Sequence, residues 1–165
     1  MSAPDQPAAD GSPSAVSQRR VLFVSHSATL AGGSLDLLAL LKALPRERFR
    51  PVVVLPEDGP LAAECRGLGL PVHTVYQPWW VTPGGADAWL YAMRLLPSAV
   101  EQVRGLIRSE QIDAVYTNSS VIPAAGLAAA LERRPHLWRV QEYLTDREFL
   151  KLVQIPDPER VMGRY

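Results

Sequence analysis

Short apolar segments alternate with helical segments along this chain, and this alternation constrains the fold more than any other feature. Apolar runs of four to six residues lie at 21–24, 51–55, 71–76, 112–117 and 136–140. Strands that are apolar throughout are typical of a sheet covered on both faces, and parallel neighbours need crossover helices between them. The pattern therefore predicts an α/β fold, a doubly wound (Rossmann-like) parallel sheet of about five or more strands.

The two ends of the chain differ in composition. Residues 1–18 are mostly Pro, Ala, Ser and Asp, with almost nothing to bury, so we predict a disordered tail there. The remaining residues, 19–165, have the length of one ordinary domain, which can build a core without disulfides or metals.

Charge and cysteine content exclude several classes of protein. The 17 basic and 17 acidic side chains cancel, which argues against a nucleic-acid partner. The single cysteine, Cys65, excludes an internal disulfide and a cysteine-based zinc site, and it fits a reducing cytosol.

No apolar run approaches the ~20 residues that span a bilayer, and no secretory signal is visible, so we expect a cytoplasmic protein. The apolar and aromatic segment 89–93 fits an interfacial helix and a buried helix equally well. Peripheral contact with the inner face of the membrane therefore stays open as an alternative.

The connecting helices are predicted from apolar spacing. Leu61, Cys65 and Leu68 form one stripe, and Pro97 is expected to divide the next helical region into helices at 86–96 and 97–109. Segment 35–41 is apolar nearly all round, which predicts a helix covered on more than one side.

A final helix is predicted near the end of the chain. Thr145 and Glu148 have the spacing of a capping box, and the helix would run to about Gln154.

Polar turns follow four of the predicted strands. Because ligands bind beyond the carboxyl ends of parallel strands, near the point where strand order reverses, we expect these turns to lie along one edge of the sheet. They are 25–27 with 31–34, 77–80, 118–120, and 141–143.

Gly32 and Gly33 precede the first helix, where glycine lets the backbone approach an anion; a turn that requires positive φ is the alternative and the stronger one locally. Neither G-x-G-x-x-G nor a P-loop motif is present, which disfavours a nicotinamide dehydrogenase and a P-loop NTPase.

The other polar residues also allow two interpretations. Asn118, Ser119 and Ser120 could cap a helix or contact a ligand, and His26 is more often a packed side chain than a catalyst. Glu142 could act as an acid or base, although an isolated glutamate is usually solvated.

Two tryptophans complete the set of candidates. Trp79 and Trp80 fit core packing first, and a sugar or lipid platform or a wedge under a further domain second. No hydrolase triad and no cluster of metal ligands is visible, so we expect no metal.

Four segments together resemble the N-terminal domain of family-4 glycosyltransferases with the GT-B architecture. They are VLFVSHSATLAGGSLDLLALLKAL, VVVLPEDGPLAAECRGLGLPV, IDAVYTNSSVIPAAGLAAAL and PHLWRVQEYL. The resemblance covers about residues 20–155 and implies one half of a GT-B enzyme, whose second domain holds the sugar nucleotide across a cleft.

The resemblance also implies roles for residues. Gly32 and Gly33 would approach the donor diphosphate, while Ser34, Asn118, Ser119 and Glu142 would line the acceptor side. His26 and Glu142 are weak catalytic candidates. Family members often carry His or Arg before the acidic residue, where this chain has Gln141, and this weakens any proton-transfer role there.

The implied function is the acceptor-binding half of a retaining glycosyltransferase that uses a nucleotide-sugar co-substrate, no further cofactor and no metal. The acceptor would be a glycan, a lipid or a small molecule. Because the donor-binding C-terminal domain is absent from these residues, the resemblance implies a partner chain or a missing domain, and no significant activity alone.

Two other functions remain open. A non-catalytic Rossmann-like binding or scaffold module is the main alternative. A different nucleotide-binding enzyme is disfavoured because the phosphate-binding motifs are missing.

Overall fold

The computed structural model describes residues 18–81 and 85–141 of the chain. Within them are the strands β1 (Arg19–Ser25), β2 (Phe49–Leu55), β3 (Val72–Thr74), β4 (Ala114–Asn118) and β5 (His136–Arg139). The helices are α1 (Gly33–Ala43), α2 (Pro60–Gly67), α3 (Gly85–Ser109) and α4 (Ala124–Leu131). The predicted helix at 145–154 and residues 1–17 of the predicted tail lie outside the described residues.

The five strands form one parallel sheet in the order β3-β2-β1-β4-β5. The chain adds β2 and β3 on one side of β1 and then crosses back to place β4 and β5 on the other side. Strand order therefore reverses between β1 and β4. The predicted doubly wound α/β fold is confirmed.

Each face of the sheet packs against its own pair of helices. Alternate residues of β1 divide between the two cores, since Leu22 and Val24 lie in one and Phe23 in the other. The helices α1 and α2 cover the core that contains Phe23, and α3 and α4 cover the core that contains Leu22. This arrangement explains why the central strands are apolar throughout.

The predicted division at Pro97 is wrong, because α3 is one continuous helix of 25 residues. Pro97 lies on the exposed side of α3, and buried residues continue on both sides of it, among them Ala92 and Val100. Proline removes one backbone hydrogen bond. Packing of the apolar stripe on the sheet outweighs that loss and keeps the helix intact.

The predicted stripe of α2 needs correction, and the predicted cover of α1 is not supplied by the described residues. Leu68 is the C-cap residue of α2 and is 36% exposed, so only Leu61 and Cys65 of the predicted stripe are buried. In α1, Leu37, Leu38 and Leu41 are buried, whereas Leu35 is 50% exposed. Within the described part of the chain, α1 is therefore covered along one side rather than all round. No helix there is long and apolar enough to cross a membrane.

Candidate functional site

Strand order reverses between β1 and β4, and we call the region around the carboxyl ends of these two strands the crevice. Ser25 and Asn118 are register partners at the ends of these two strands, and both are fully buried. In doubly wound sheets this is the position at which ligands bind.

Asn118 ties together the segments that follow β1. The ring Nδ1 of His26 lies 3.2 Å from the backbone oxygen of Asn118, and the side-chain amide of Asn118 donates to the carbonyl of Gly33 over 2.9 Å. Because a carbonyl oxygen can only accept, Nδ1 of His26 carries the proton, and Nε2 of the neutral ring is left as an acceptor.

The two glycines have different structural roles. Gly32 has φ of 50°, a left-handed conformation that glycine adopts without strain, so the interpretation as a turn holds for it. Gly33 lies against the side chain of Gln141, and a β-carbon on Gly33 would overlap that amide. The close approach at Gly33 therefore brings the segment after β5 to the start of α1.

Trp79 brings the segment after β3 to the same place, because its ring meets the His26 ring edge-on with centroids 5.6 Å apart. The turns after β1, β3, β4 and β5 therefore converge, as predicted, through His26, Trp79, Asn118 and Gln141. The fourth group also includes Glu142, which lies outside the described residues.

Polar groups in the crevice are buried with hydrogen-bonding capacity left over. The side-chain oxygens of Ser34 and Asn118 are buried without a hydrogen-bond partner in the described structure. Ser34 lies in the first turn of α1, whose N-cap residue, Gly32, makes no side-chain capping bond. The positive end of the helix dipole at this turn favours a negatively charged or strongly polar ligand. The backbone N–H groups of Ser34 and Leu35 are already bonded to the carbonyls of Ala31 and Gly32.

The capping interpretation of the segment after β4 is wrong. Helix α4 begins at Ala124 with Pro123 as its N-cap and has no side-chain capping bond, while Asn118 reaches Gly33 instead. Ser119 has φ of 151°, which is rare for a residue other than glycine, and its hydroxyl accepts from the backbone of Val121. Such strained conformations cluster at functional sites.

The tryptophan pair is partly buried against the α3–α4 side of the core, in agreement with core packing. The indole of Trp80 donates to the backbone oxygen of Ser120 over 2.7 Å and stacks on Trp138 with ring centroids 5.9 Å apart.

Sequence reasoning missed an apolar cavity of about 140 Å³ beside this stack, because its walls come from segments far apart in the chain. It is lined by Trp80, Met93, Leu96, Pro123, Gly126, Leu127 and Trp138.

The chemistry available in the described part of the crevice is that of a binding site. It offers serine hydroxyls, the side-chain amides of Asn118 and Gln141, and the imidazole of His26. The described residues contain no group of three or more side chains suited to a metal ion.

The sequence matches a family model. Residues 31–159 match the model of the glycosyl transferase 4-like domain, which is more than half of the chain. The chain belongs to this family. The matched segment includes Gly32, Gly33, Asn118 and Gln141 of the crevice, whereas His26 precedes it.

Solved glycosyltransferase structures share the fold. HepE from Anabaena, solved in complex with UDP and glucose, is 22% identical with a TM-score of 0.55, over 80% of this chain and 32% of HepE. MurG from Acinetobacter baumannii is 18% identical with a TM-score of 0.58, over 82% of this chain and 40% of MurG. This chain therefore spans about a third of the length of HepE and two fifths of MurG.

The same fold also occurs outside glycosyltransferases. The C-terminal domain of a hydrogenase from Pyrococcus furiosus is 15% identical with a TM-score of 0.50, over 78% of this chain and 96% of that domain. No curated protein matches the chain. The fold alone therefore does not assign an activity.

Proposed function

We propose that this domain forms the acceptor-side wall of a retaining glycosyltransferase, which transfers a sugar from a nucleotide-sugar to a glycan, lipid or small-molecule acceptor. The observation that carries the proposal is the convergence of His26, Gly33, Asn118 and Gln141 at the strand reversal. Because the chain belongs to the glycosyl transferase 4-like family, glycosyl transfer is the reaction we propose for this crevice.

The donor side of the proposed site is the start of α1. The backbone N–H groups of Ser34 and Leu35 bond to the carbonyls of Ala31 and Gly32, and open space surrounds Gly32, so a diphosphate would reach this turn at the backbone of Gly32 and Gly33. Their proposed role is to contact the donor diphosphate across the cleft.

The acceptor side is built from Ser34, Asn118, Ser119 and Glu142. Ser34 and Asn118 support this assignment with buried oxygens that have no partner, since hydroxyl groups of an acceptor could supply the missing bonds. His26 would accept a proton or hydrogen bond through Nε2, and Gln141 cannot take part in proton transfer because its amide does not titrate.

The domain would need a second, donor-binding domain for significant turnover. Stabilising the departing diphosphate is a large part of lowering the barrier. Arg139, a cation at this edge at the end of β5, is already paired with Asp36 in the first turn of α1 over 2.8 Å. The proposed co-substrate is a nucleotide-sugar, with no further cofactor and no metal.

Titration of the full chain with UDP and UDP-glucose, followed by NMR, tests the proposal. We expect weak, millimolar binding with shifts concentrated at Gly32, Gly33 and Ser34. Addition of a donor-binding domain should tighten binding and give transfer. Nanomolar donor binding or rapid transfer by this chain alone would contradict the half-site.

Alanine substitutions at Gly33 and at Gly105 provide a test variant and a matched control. Gly33→Ala would push the added β-carbon into Gln141 and cover the start of α1, so the UDP-induced shifts should disappear. Gly105→Ala lies in the exposed middle of α3 with open space around it, so the shifts should stay. Equal UDP-induced shifts in the two variants would contradict the proposal that Gly32 and Gly33 contact the diphosphate of the nucleotide-sugar.

Because the fold alone does not assign an activity, a non-catalytic binding module stays the second candidate. That candidate predicts no nucleotide-sugar binding even with a donor-binding domain present. The same titration therefore separates the two functions.

A further inference from the structure

A second pocket lies at the amino ends of the strands, opposite the crevice. Its volume is about 350 Å³, and it lies between the residue before β1, the turn from α1 into β2 and the turn from α2 into β3. The seven residues of β2 separate the two ends by roughly 20 Å, at about 3.3 Å per residue. None of the residues that form the crevice lines this pocket.

Two arginines and an amide supply the polar wall of the pocket. Arg46, Arg50 and Gln18 line it, together with Phe49 and apolar or backbone groups of residues 68–71. None of the described residues that line the pocket is acidic. The pocket is therefore polar and carries positive charge without an internal counterion.

The guanidinium of Arg46 is fixed by one hydrogen bond and has a further N–H donor group without an acceptor among the described residues. Its Nη2 donates to the backbone oxygen of Leu41 over 2.8 Å, which fixes the guanidinium against the end of α1. Its Nη1 is buried and has no hydrogen-bond partner among the described residues. A buried donor without an acceptor costs free energy, and an acceptor that reaches it removes that cost.

The neighbouring arginines also lack carboxylate partners within the described residues. Arg48 stacks on the Phe49 ring at 5.6 Å, and Arg50 is exposed and takes part in no ion pair. Glu47 is the one acidic residue in this turn, and it does not line the pocket. Elsewhere, Arg104 and Arg108 are paired with Glu132.

We propose that this pocket is a binding site for a phosphate-class anion, held by Arg46 and Arg50. The planar guanidinium presents several N–H donors whose geometry matches phosphate oxygens. The volume exceeds what a bare phosphate needs and leaves room for the group that carries it. The site is separate from the proposed sugar-transfer cleft and does not depend on it.

The test uses the full chain, titrated with inorganic phosphate and with glycerol 3-phosphate at constant ionic strength and followed by NMR. Saturable shifts at Gln18, Arg50 and Gly69 are expected, with no matching shifts at Gly33. Arg50→Gln should weaken binding roughly tenfold, because it removes a charged hydrogen bond.

Arg94→Gln is the matched control, because Arg94 is exposed on α3, far along the chain from the pocket. It removes the same charge and should leave the affinity unchanged. Equal weakening by Arg94→Gln and Arg50→Gln would show only general charge attraction and would overturn the proposal. No saturable shift with either anion would overturn it as well.

A vesicle-binding experiment distinguishes the two possible sources of the phosphate group, a lipid headgroup and a soluble phosphate ester. Association with phosphatidylglycerol vesicles, but not phosphatidylcholine vesicles, and its loss in Arg50→Gln would assign a lipid headgroup. Saturable binding of glycerol 3-phosphate without vesicle association would assign a soluble phosphate ester. Vesicle association that is unchanged in Arg50→Gln would count against the pocket as the binding site.

Discussion

Helices α1 and α4 pack on opposite faces of the sheet with side chains of different size. The leucine face, under α1 and α2, is filled by fully buried large residues such as Leu37, Leu41 and Leu61. On the alanine face, under α3 and α4, helix α4 meets the core through the small residues Ala124, Ala125, Ala128 and Ala129. Large side chains fill space between helix and sheet, whereas small ones let the helix backbone approach closely. The two faces should therefore fail under opposite substitutions.

Truncation on the leucine face should have the largest effect. Leu37→Ala removes a fully buried side chain and leaves a cavity, which should lower the free energy of unfolding by about 2–5 kcal/mol. Urea unfolding monitored by circular dichroism measures the change. Leu35→Ala on the same helix is the control, because Leu35 is half exposed and should cost far less. Similar losses in the two variants would show that α1 is covered on both sides after all.

Enlargement on the alanine face should have the next largest effect. Ala128→Leu adds volume at a fully buried position of α4 and should cost about 1–3 kcal/mol, because nearby side chains and backbone must shift. Ala39→Leu on the exposed side of α1 is the control and should be close to neutral. A stable Ala128→Leu variant would mean that the side chains around α4 can shift to make room for the added carbons.

Local pattern was enough to predict the sheet, and not enough to predict how its helices are covered. Continuous apolar runs between helical segments allow few arrangements, so the parallel sheet followed from residues such as those at 21–24. Pro97 was misread because its cost is local while the packing that outweighs it comes from the sheet. The cover that the apolar pattern of α1 predicts over Leu35 does not come from the described residues, so it stays a prediction.

The site was predictable in its location and less so in its contacts. The rule that ligands bind at the carboxyl ends of parallel strands predicts from sequence that His26, Gly33 and Asn118 lie close together. The bond from Asn118 to Gly33 spans 85 residues of sequence, so spacing could not reveal it, and capping was the nearer interpretation. The arginine pocket was missed because its residues look like ordinary surface charges in the sequence.

An ion-pair cluster also distinguishes the faces, and we expect a smaller effect from it. Glu132, just after α4, accepts hydrogen bonds from Arg104 and Arg108 of α3, which lower the pKa of its carboxyl to about 2, with Arg108 the larger cause. Glu132→Gln should lower stability at neutral pH, and the loss should shrink in high salt. Thermal unfolding at low and high salt measures it.

Glu64→Gln is the control for this cluster. It removes the single exposed pair between Lys42 and Glu64, at 3.4 Å, on the leucine face. Exposed single pairs contribute little, so its effect should be smaller than that of Glu132→Gln. Equal effects would mean that the cluster adds nothing beyond one surface pair.

The smallest expected effect is a pH dependence that comes from the alanine face. The ring of His136 packs against Gly126 and bonds to Thr117 over 2.9 Å, and burial lowers its pKa below 6.5. The unfolded chain then binds a proton more readily than the folded one, so stability is complete above about pH 6.5 and declines as pH falls through the folded pKa. Glu132 acts in a separate window, below 4.5, because its pKa is lowered from that value. Urea unfolding between about pH 7.5 and about pH 5, a span that brackets the ordinary histidine pKa of 6.5, should therefore show a decline in stability. The His136→Gln variant should not show this decline. A decline that persists in His136→Gln would place the proton-sensitive group elsewhere, and the close approach of α4 to the sheet would then carry no penalty in acid.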